Sequence, residues 1–285
     1  MSGGEGLRGS LRDISDLGWS DGGRRSNLNW SRLIVPARIS GLHRTFLHPM
    51  LDPELLRSFA IHFYGYGNPS AENWFISMEE GGGSTEAEIA ARLCAWQRLG
   101  CGELCDVVEF HRCAKIGTEF FEKHPPLQRT WYRMIRILLA SEGQVPDVEL
   151  ARLYQRDQLG RTNGETRLSP LLPLPAPSVG AWPYNRWSDV AEFQDRDTYT
   201  SFIIDKRVDH LTKRVAACCA RNVVFLGAAY RSHAESISGT SLIEQEEGFW
   251  CGHRGATKFA VCKHPNTRGL TNGYFDSVGQ WLRAR

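Results

Sequence analysis

Asn73 to Gly83 reads NWFISMEEGGG, and the rest of the chain is organised around this stretch. Trp74 to Met78 is a short apolar run bounded by polar residues and glycines, the pattern of a buried strand rather than of an amphipathic helix. Glu79 and Glu80 fall where that strand ends, and the glycines after them let the backbone turn sharply and come close to a ligand. Thr85 followed by Glu88 fits a capping box, with Ile89, Leu93 and Trp96 continuing at helical spacing. Strand, acidic tip, glycine turn and helix in succession set a carboxylate at the carboxyl edge of a sheet, where open α/β folds bind ligands. Two solvated glutamates in a surface turn would give the same local pattern.

Upstream, LDPELLRSFAIHFY (residues 51–64) carries Pro53 near its start and Leu55, Leu56, Phe59 and Phe63 at helical spacing, a packing helix that leads into the strand. The turn GYGNPSAE between them offers Tyr66 and Asn68 as exposed groups near the acidic tip. Residues 1 to about 26 are rich in Gly, Ser, Arg and Asp without apolar period, so the expected organisation is a partly mobile arm over 1–40 and one α/β domain over 41–285. Arg24 and Arg25 in the arm are available to phosphate, although a solvated tail is the plainer reading.

Downstream, Leu104 to Phe110 reads as a short strand ending in His111 and Arg112. A helix comes next with Pro126 at its first position, Leu127, Trp131, Ile135 and Leu138 on one face, and Arg129, Arg133 and Arg136 on another. Such a stripe can track a phosphate backbone, but the solvated face of a helix is the expectation. Over residues 158–187 periodicity is lost and five of the 13 prolines fall between Pro170 and Pro183, which forbids a helix and allows at most a short edge strand. Trp182, Tyr184 and Trp187, with Arg186 beside them, could stack on bases; an apolar flap packed on the core is the rival reading. Asp197 to Ala220 then reads as a long helix, VVFLGAAY (Val223–Tyr230) as a central parallel strand and its exit, and Ser232, His233 and Glu235 as polar groups with no spacing that specifies catalysis. Finally KFAVC (Lys258–Cys262) is a strand that runs into Lys263, His264, Pro265, Asn266, Thr267 and Arg268, with a carboxy-terminal helix striped by Tyr274, Phe275, Val278, Trp281 and Leu282.

The composition is that of an ordinary globular protein: 285 residues, 41% hydrophobic, 23% charged and a formal charge of +2, so global charge does not announce nucleic acid. No stretch approaches the roughly 20 apolar residues of a membrane span and no apolar signal core opens the sequence, which sets the expectation of a cytoplasmic protein. The eight cysteines, Cys218 and Cys219 adjacent, read as reduced core thiols rather than a disulfide framework. Cys94, Cys101, Cys105 and Cys113 cluster loosely without a paired CxxC, so no metal is expected.

FISMEEGGG, the intervening VVFLG and the late FAVCKHPNTRG together resemble the uracil-DNA glycosylase superfamily, in order and spacing, over roughly residues 60–285. The resemblance implies a three-layer α/β/α sandwich around a central four-stranded parallel sheet, with an acidic or amide residue after the first strand and a His-Pro-Ser-like loop after the last. It gives Glu79 the water-directing role and His264, Pro265 and Asn266 the place of that loop. Ser77, Glu80 and Asn266 depart from the Gly, Pro and Ser the family often has there, which bears on substrate more than on fold. The proline-rich segment lies about where the family presents its base-reading strand, with Ser169 or Asn163 as the base-reading position.

The expectations for function rest on this resemblance. The enzyme is a DNA glycosylase without a cofactor, acting as a monomer on double-stranded DNA that contains a modified base, with no membrane partner. Glu79 and His264 are catalytic; Met78, Glu80, Gly81, Tyr66, Ser169 and Asn163 form the base pocket; Lys263, Pro265, Asn266, Thr267, Arg268 and Arg186 hold the DNA. Uracil-specific relatives place a bulky aromatic side chain two positions after the water-directing residue, where it collides with a substituent on carbon 5; here that position is Gly81. A pyrimidine enlarged at carbon 5, such as mismatched thymine or hydroxymethylated or glucosylated cytosine in foreign DNA, is therefore the expected substrate. The alternatives are a uracil or mismatched-thymine repair enzyme, or a nucleic-acid-binding protein that keeps the fold without the chemistry.

Overall fold

The computed structural model describes residues 51–178 and 180–284; the arm expected over 1–40, with Arg24 and Arg25, lies outside the described residues. The described chain enters on α1 (Pro53–His62), started by the Asp52 carboxylate, which accepts from the Glu54 and Leu55 amides. β1 (Tyr66–Gly67) leads to β2 (Asn73–Glu79), and α2 (Glu86–Arg98) comes after the glycines. The Thr85 hydroxyl accepts the Glu88 amide as a capping box requires, but the Glu88 carboxylate takes the Gly83 and Ser84 amides instead of reaching back to Thr85.

The strand expected over Leu104–Phe110 is instead the approach to a helix, α3 (Val107–Ala114). Asp106 accepts from the Val108 and Glu109 amides at 3.0 and 3.2 Å, and this cap outweighs the β-branched pair that suggested a strand. α4 (Arg129–Ser141) begins at Arg129 rather than at Pro126, capped by the Gln128 side chain, and α5 (Val148–Asp157) is capped by Asp147. The arginines of α4 correct the expectation of a solvated or phosphate-tracking stripe. Arg129 is exposed, but Arg133 is buried and donates to the Leu270 carbonyl at 2.9 Å, while Arg136 donates to Asp276 at 2.9 Å. Two of the three are internal ties.

The proline-rich segment holds the largest departure. β3 (Thr166–Leu172) is seven residues long, wholly buried, and lies between β1 and β2 instead of at an edge. Pro170 is tolerated because β1 pairs only with Arg167 and Leu168, so no ladder bond on that side is lost at Pro170. Beyond the end of β1, the fully buried Arg207 donates to the Pro170 and Leu171 carbonyls and to Phe63, with its guanidinium 3.7 Å from the centre of the Tyr64 ring. The aromatics further along are not offered to bases. On α6 (Tyr184–Trp187), Tyr184 is fully buried with its hydroxyl on the Pro175 carbonyl, and just before it Trp182 donates to the Phe193 carbonyl and stacks on Tyr199. The described residues of 173–187 form a flap whose Leu174, Trp182, Tyr184 and Trp187 pack on the core.

α7 (Arg196–Cys218) starts at the Asp195 cap and delivers the chain to β4 (Asn222–Leu226), α8 (Arg231–Ser238), β5 (Ile243–Glu244), β6 (Trp250–Arg254), β7 (Thr257–Cys262) and α9 (Asn272–Arg283). The described fold is mixed α/β with nine α-helices and one seven-stranded mixed sheet in the order β1-β3-β2-β4-β7-β6-β5. β3, β2, β4 and β7 are parallel neighbours, while β1, β6 and β5 add antiparallel pairings at the flanks, so the sheet is wider than the four parallel strands expected.

The parallel strands are buried on both faces, which is why they read as unbroken apolar runs. Trp74, Ile76, Val223, Phe225, Phe259 and Val261 pack with Leu211 and Val215 of α7 and Ile237 of α8. The alternating residues Phe75, Val224, Leu226, Ala260 and Cys262 pack with Trp96 of α2, Leu138 of α4 and Phe275 of α9. All eight cysteines are free thiols; Cys105, Cys251 and Cys262 are in the core, whereas Cys94, Cys101 and Cys219 are exposed, contrary to the expectation of core thiols throughout. Among the described residues no helix is long and apolar enough to cross a membrane.

Candidate functional site

The parallel strands end on the same edge, and the segments that leave them enclose one cleft of about 1050 Å³. β2 contributes Ser77, Met78 and Glu79 and then Glu80 and Gly81; β3 contributes Leu168, Ser169 and Pro170; β4 opens into Gly227 to Tyr230. The loop after β7 supplies Lys263, His264, Asn266 and Thr267, and α3 and α4 close the far side with His111, Trp131 and Met134. Of the described flap residues only Ala176 and Ser178 reach the cleft, and neither Trp182 nor Tyr184 lines it.

Each carboxylate of the acidic tip has its own partner. Glu79 pairs through Oε1 with Arg196, the first residue of α7, and its Oε2 has no hydrogen-bond partner among the described residues. Burial raises the Glu79 carboxyl above its usual range, and the Arg196 charge and hydrogen bond pull against that rise without cancelling it. Glu80 is committed elsewhere: it accepts the Tyr66 hydroxyl at 2.7 Å and Arg92 Nη1 at 3.1 Å. Tyr66, expected to be exposed, is 2% exposed, and burial followed by the Glu80 charge pushes its phenol well up. Arg92 also donates to the Gly81 carbonyl and to Glu88, which holds the Gly83 and Ser84 amides, so the glycine turn is fastened from below. Glycine is needed at Gly82 and Gly83, with φ of 110° and 72°, whereas a Cβ on Gly81 would meet nothing within 4 Å.

His264 stands exposed past the end of β7 on a turn closed by the Thr267 amide donating to its own carbonyl at 2.8 Å. Its Nδ1 accepts the Asn266 amide at 3.1 Å, so the proton of the neutral ring is on Nε2. Although the residue is exposed, the protein around its ring desolvates it in part, which lowers the His264 pKa and favours that neutral ring. Tyr274 on α9 fixes the start of the loop: its hydroxyl accepts the Lys263 amide at 2.9 Å. Deeper in, His111 is 7% exposed, its Nδ1 donates to the Ile116 carbonyl at 2.8 Å and its Nε2 has no partner among the described residues; burial lowers its pKa as well.

Ten of the residues singled out from the sequence therefore line one cleft: Glu79, His264, Met78, Glu80, Gly81, Tyr66, Ser169, Lys263, Asn266 and Thr267. Asn163 does not. It is exposed in the turn before β3, whereas Ser169, the other candidate for the base-reading position, is toward the carboxyl end with its hydroxyl accepting Arg167 Nε at 2.9 Å. Pro265 is buried beneath its loop, and Arg268 and the α6 residue Arg186 are exposed outside the cleft. Asn68 turns to the Gly164 carbonyl rather than to the acidic tip, and Ser232, His233 and Glu235 lie on α8 away from the cleft.

Sequence reasoning missed Arg92, Arg196, His111 and Tyr274. Arg92 stands one helical turn after Glu88, a signal that was there to use. Nothing in the spacing links Arg196 to Glu79 across 117 residues. Among the described residues no group of three His, Cys, Asp or Glu side chains could hold a metal ion. Compared with protein-family models and with curated proteins, the chain gave no match.

Proposed function

We propose that this protein is a DNA glycosylase of the uracil-DNA glycosylase type, which flips a modified pyrimidine out of a duplex and hydrolyses its N-glycosidic bond to leave an abasic site. One observation carries the reading: a strand-end carboxylate, Glu79, and a histidine with its proton on Nε2, His264, line the same cleft from β2 and β7. Breaking the bond between base and deoxyribose builds positive charge on the sugar and negative charge on the departing base. Glu79, whose Oε2 has no hydrogen-bond partner among the described residues, is suited to hold the attacking water and to stabilise the sugar cation, as carboxylates do in glycoside hydrolysis. His264 donates its Nε2 proton as a hydrogen bond to the leaving base, a contribution worth several kcal/mol once the bound base has displaced water from the ring. Lys263, Asn266 and Thr267 around it hold the opened strand through its backbone, with Arg268 and Arg186 further out for phosphate.

The substrate class comes from Gly81. With no side chain there and open space around its Cβ direction, the cleft accommodates a pyrimidine enlarged at carbon 5, such as mismatched thymine or a hydroxymethylated or glucosylated cytosine. A volume of about 1050 Å³ lies just above the roughly 300–1000 Å³ typical of small-molecule sites, more than a bare pyrimidine ring demands. Action on a base of foreign DNA, as a monomeric defence enzyme, is the setting that fits such a substrate.

The test is strand cleavage by alkali after incubation with matched duplexes carrying uracil, mismatched thymine, hydroxymethylcytosine or glucosylated hydroxymethylcytosine. At least one enlarged pyrimidine should yield abasic sites faster than uracil does. Binding to these duplexes without any abasic product at micromolar protein would leave a nucleic-acid-binding protein and refute the enzyme.

A further inference from the structure

Arg196 occupies an unusual crossing point. It opens α7 directly after the Asp195 cap, pairs through Nη1 with Glu79 Oε1, and donates through Nη2 to two carbonyls of the flap, Ser178 at 2.9 Å and Ala181 at 3.2 Å. Its guanidinium stands 5.3 Å from the centre of the Trp182 ring, which is itself held by Phe193 and Tyr199. Among the described residues Arg196 is thus held by the flap, through Ser178, Ala181 and Trp182, and its charged partner is the carboxylate at the end of β2.

We infer that Arg196 is a positioning residue that holds the Glu79 carboxylate by one oxygen, leaves the other to the cleft, and ties its placement to the flap carrying Ser178 and Ala181. The inference rests on the reading of Glu79 as the water-directing group. A carboxylate bound through a single oxygen loses rotational freedom, and a misplacement of about 1 Å in such a group costs on the order of 100-fold in rate. The guanidinium also opposes the effect of burial, which by itself favours a protonated, inactive Glu79. The other ionisable groups around Glu79 do not replace this. Tyr199 on α7 and Tyr184 on the flap are buried phenols whose pKa values are raised, so they stay neutral; Glu80 beside it is bonded to Tyr66 and Arg92; Lys263 and His264 line the cleft from the β7 loop without a hydrogen bond to Glu79.

The experiment compares the full chain with its Arg196→Gln and Arg196→Lys variants. The Glu79 carboxyl is titrated by carbon-13 NMR in glutamate-labelled protein, with Glu79→Gln identifying the resonance, and single-turnover excision is followed across pH. Arg196→Gln should raise the Glu79 midpoint, move the acid limb of the rate profile to higher pH and slow excision about 10- to 100-fold with duplex affinity within roughly threefold. Arg196→Lys, which keeps the charge, should restore the midpoint and much of the rate. If Arg196→Gln lowers only the melting temperature, with midpoint and acid limb unmoved, Arg196 merely fastens the flap and the inference is overturned while the excision reading stands. If the wild-type chain excises no base yet the Glu79 midpoint rises in Arg196→Gln, the contact is upheld and the glycosylase reading falls instead.

Discussion

Replacing Gly81 by tyrosine isolates the substrate argument from the fold. Gly81 lines the cleft, the ideal Cβ there has no heavy atom within 4 Å and its φ lies outside the left-handed range, so the first atom of a side chain is accepted without displacing anything. Stability should change by no more than about 0.5 kcal/mol, as for a surface substitution. The neighbouring Gly83 provides the contrast: at φ of 72°, with its Cβ direction 2.2 Å from the Pro175 carbonyl, even Gly83→Ala should cost on the order of 1–3 kcal/mol. In Gly81→Tyr the new ring takes the space that a substituent on carbon 5 requires. Loss of fit worth about 1–3 kcal/mol lowers kcat/KM on the enlarged pyrimidine by roughly 10- to 200-fold, and a direct clash lowers it further. Excision of uracil, which has only hydrogen at carbon 5, should change less than about tenfold, within roughly 1.4 kcal/mol. The assay is single-turnover excision on paired duplexes with thermal melting as the control. An unchanged ratio between enlarged base and uracil in a folded Gly81→Tyr protein would refute the open-pocket reasoning.

The same geometry fixes other outcomes. His264→Ala should slow excision by about 100-fold, the loss of one preorganised donor, with duplex binding little changed; normal kinetics in that variant would mean that the loop only holds DNA. The reaction needs an ionised Glu79 and a neutral His264. Burial raises the first and lowers the second, so excision should fall as pH drops through the range between the usual carboxyl value of about 4.5 and the usual imidazole value of about 6.5, and a profile flat across that range would contradict the assignment. Away from the cleft, Arg207→Met leaves the Phe63, Pro170 and Leu171 carbonyls without a donor and should destabilise the fold by at least about 3 kcal/mol in denaturant unfolding. Burial pushes Glu103 up, but His210, Arg167 and Arg214 outweigh it and bring the carboxyl down to about 2. Its folded-state pKa is depressed, so on the order of 2 kcal/mol of stability is present above about pH 4.5 and is lost as pH falls toward 2; a Glu103→Gln protein should lack that acid-dependent loss.

Three of the inner strands, β2, β4 and β7, were legible because a strand buried on both faces is a nearly continuous apolar run, and Trp74–Met78, Val223–Leu226 and Phe259–Cys262 are such runs. β3 was not, since Arg167, Ser169 and Pro170 interrupt its pattern. Two of these are accommodated by something distant in sequence: Arg167 lies over Trp74 and bonds to Glu103, and Pro170 is served by Arg207 on α7, while Ser169 accepts from Arg167 two residues before it. α3 was hidden for a local reason, a valine pair whose strand preference is overridden by the Asp106 cap. The same division runs through the site. Glu79, Gly81 and His264 sit at strand ends that the sequence marks, so their convergence on one sheet edge could be expected. Arg92 and His111 reach the cleft, and Arg196 reaches Glu79, from helices whose placement depends on tertiary packing, and Asn163 falls outside the cleft because it precedes β3, whose start the sequence did not mark.

Excision itself is tested most directly by mass spectrometry of the small-molecule fraction released from a duplex with a pyrimidine enlarged at carbon 5, using wild-type protein and Glu79→Gln side by side under single-turnover conditions. The wild-type chain should release the intact modified base in step with the abasic strand, and Glu79→Gln should bind the duplex with similar affinity while releasing base at least about 100-fold more slowly. Release at the wild-type rate by Glu79→Gln, or a bound duplex from which neither protein frees any base, would contradict the account.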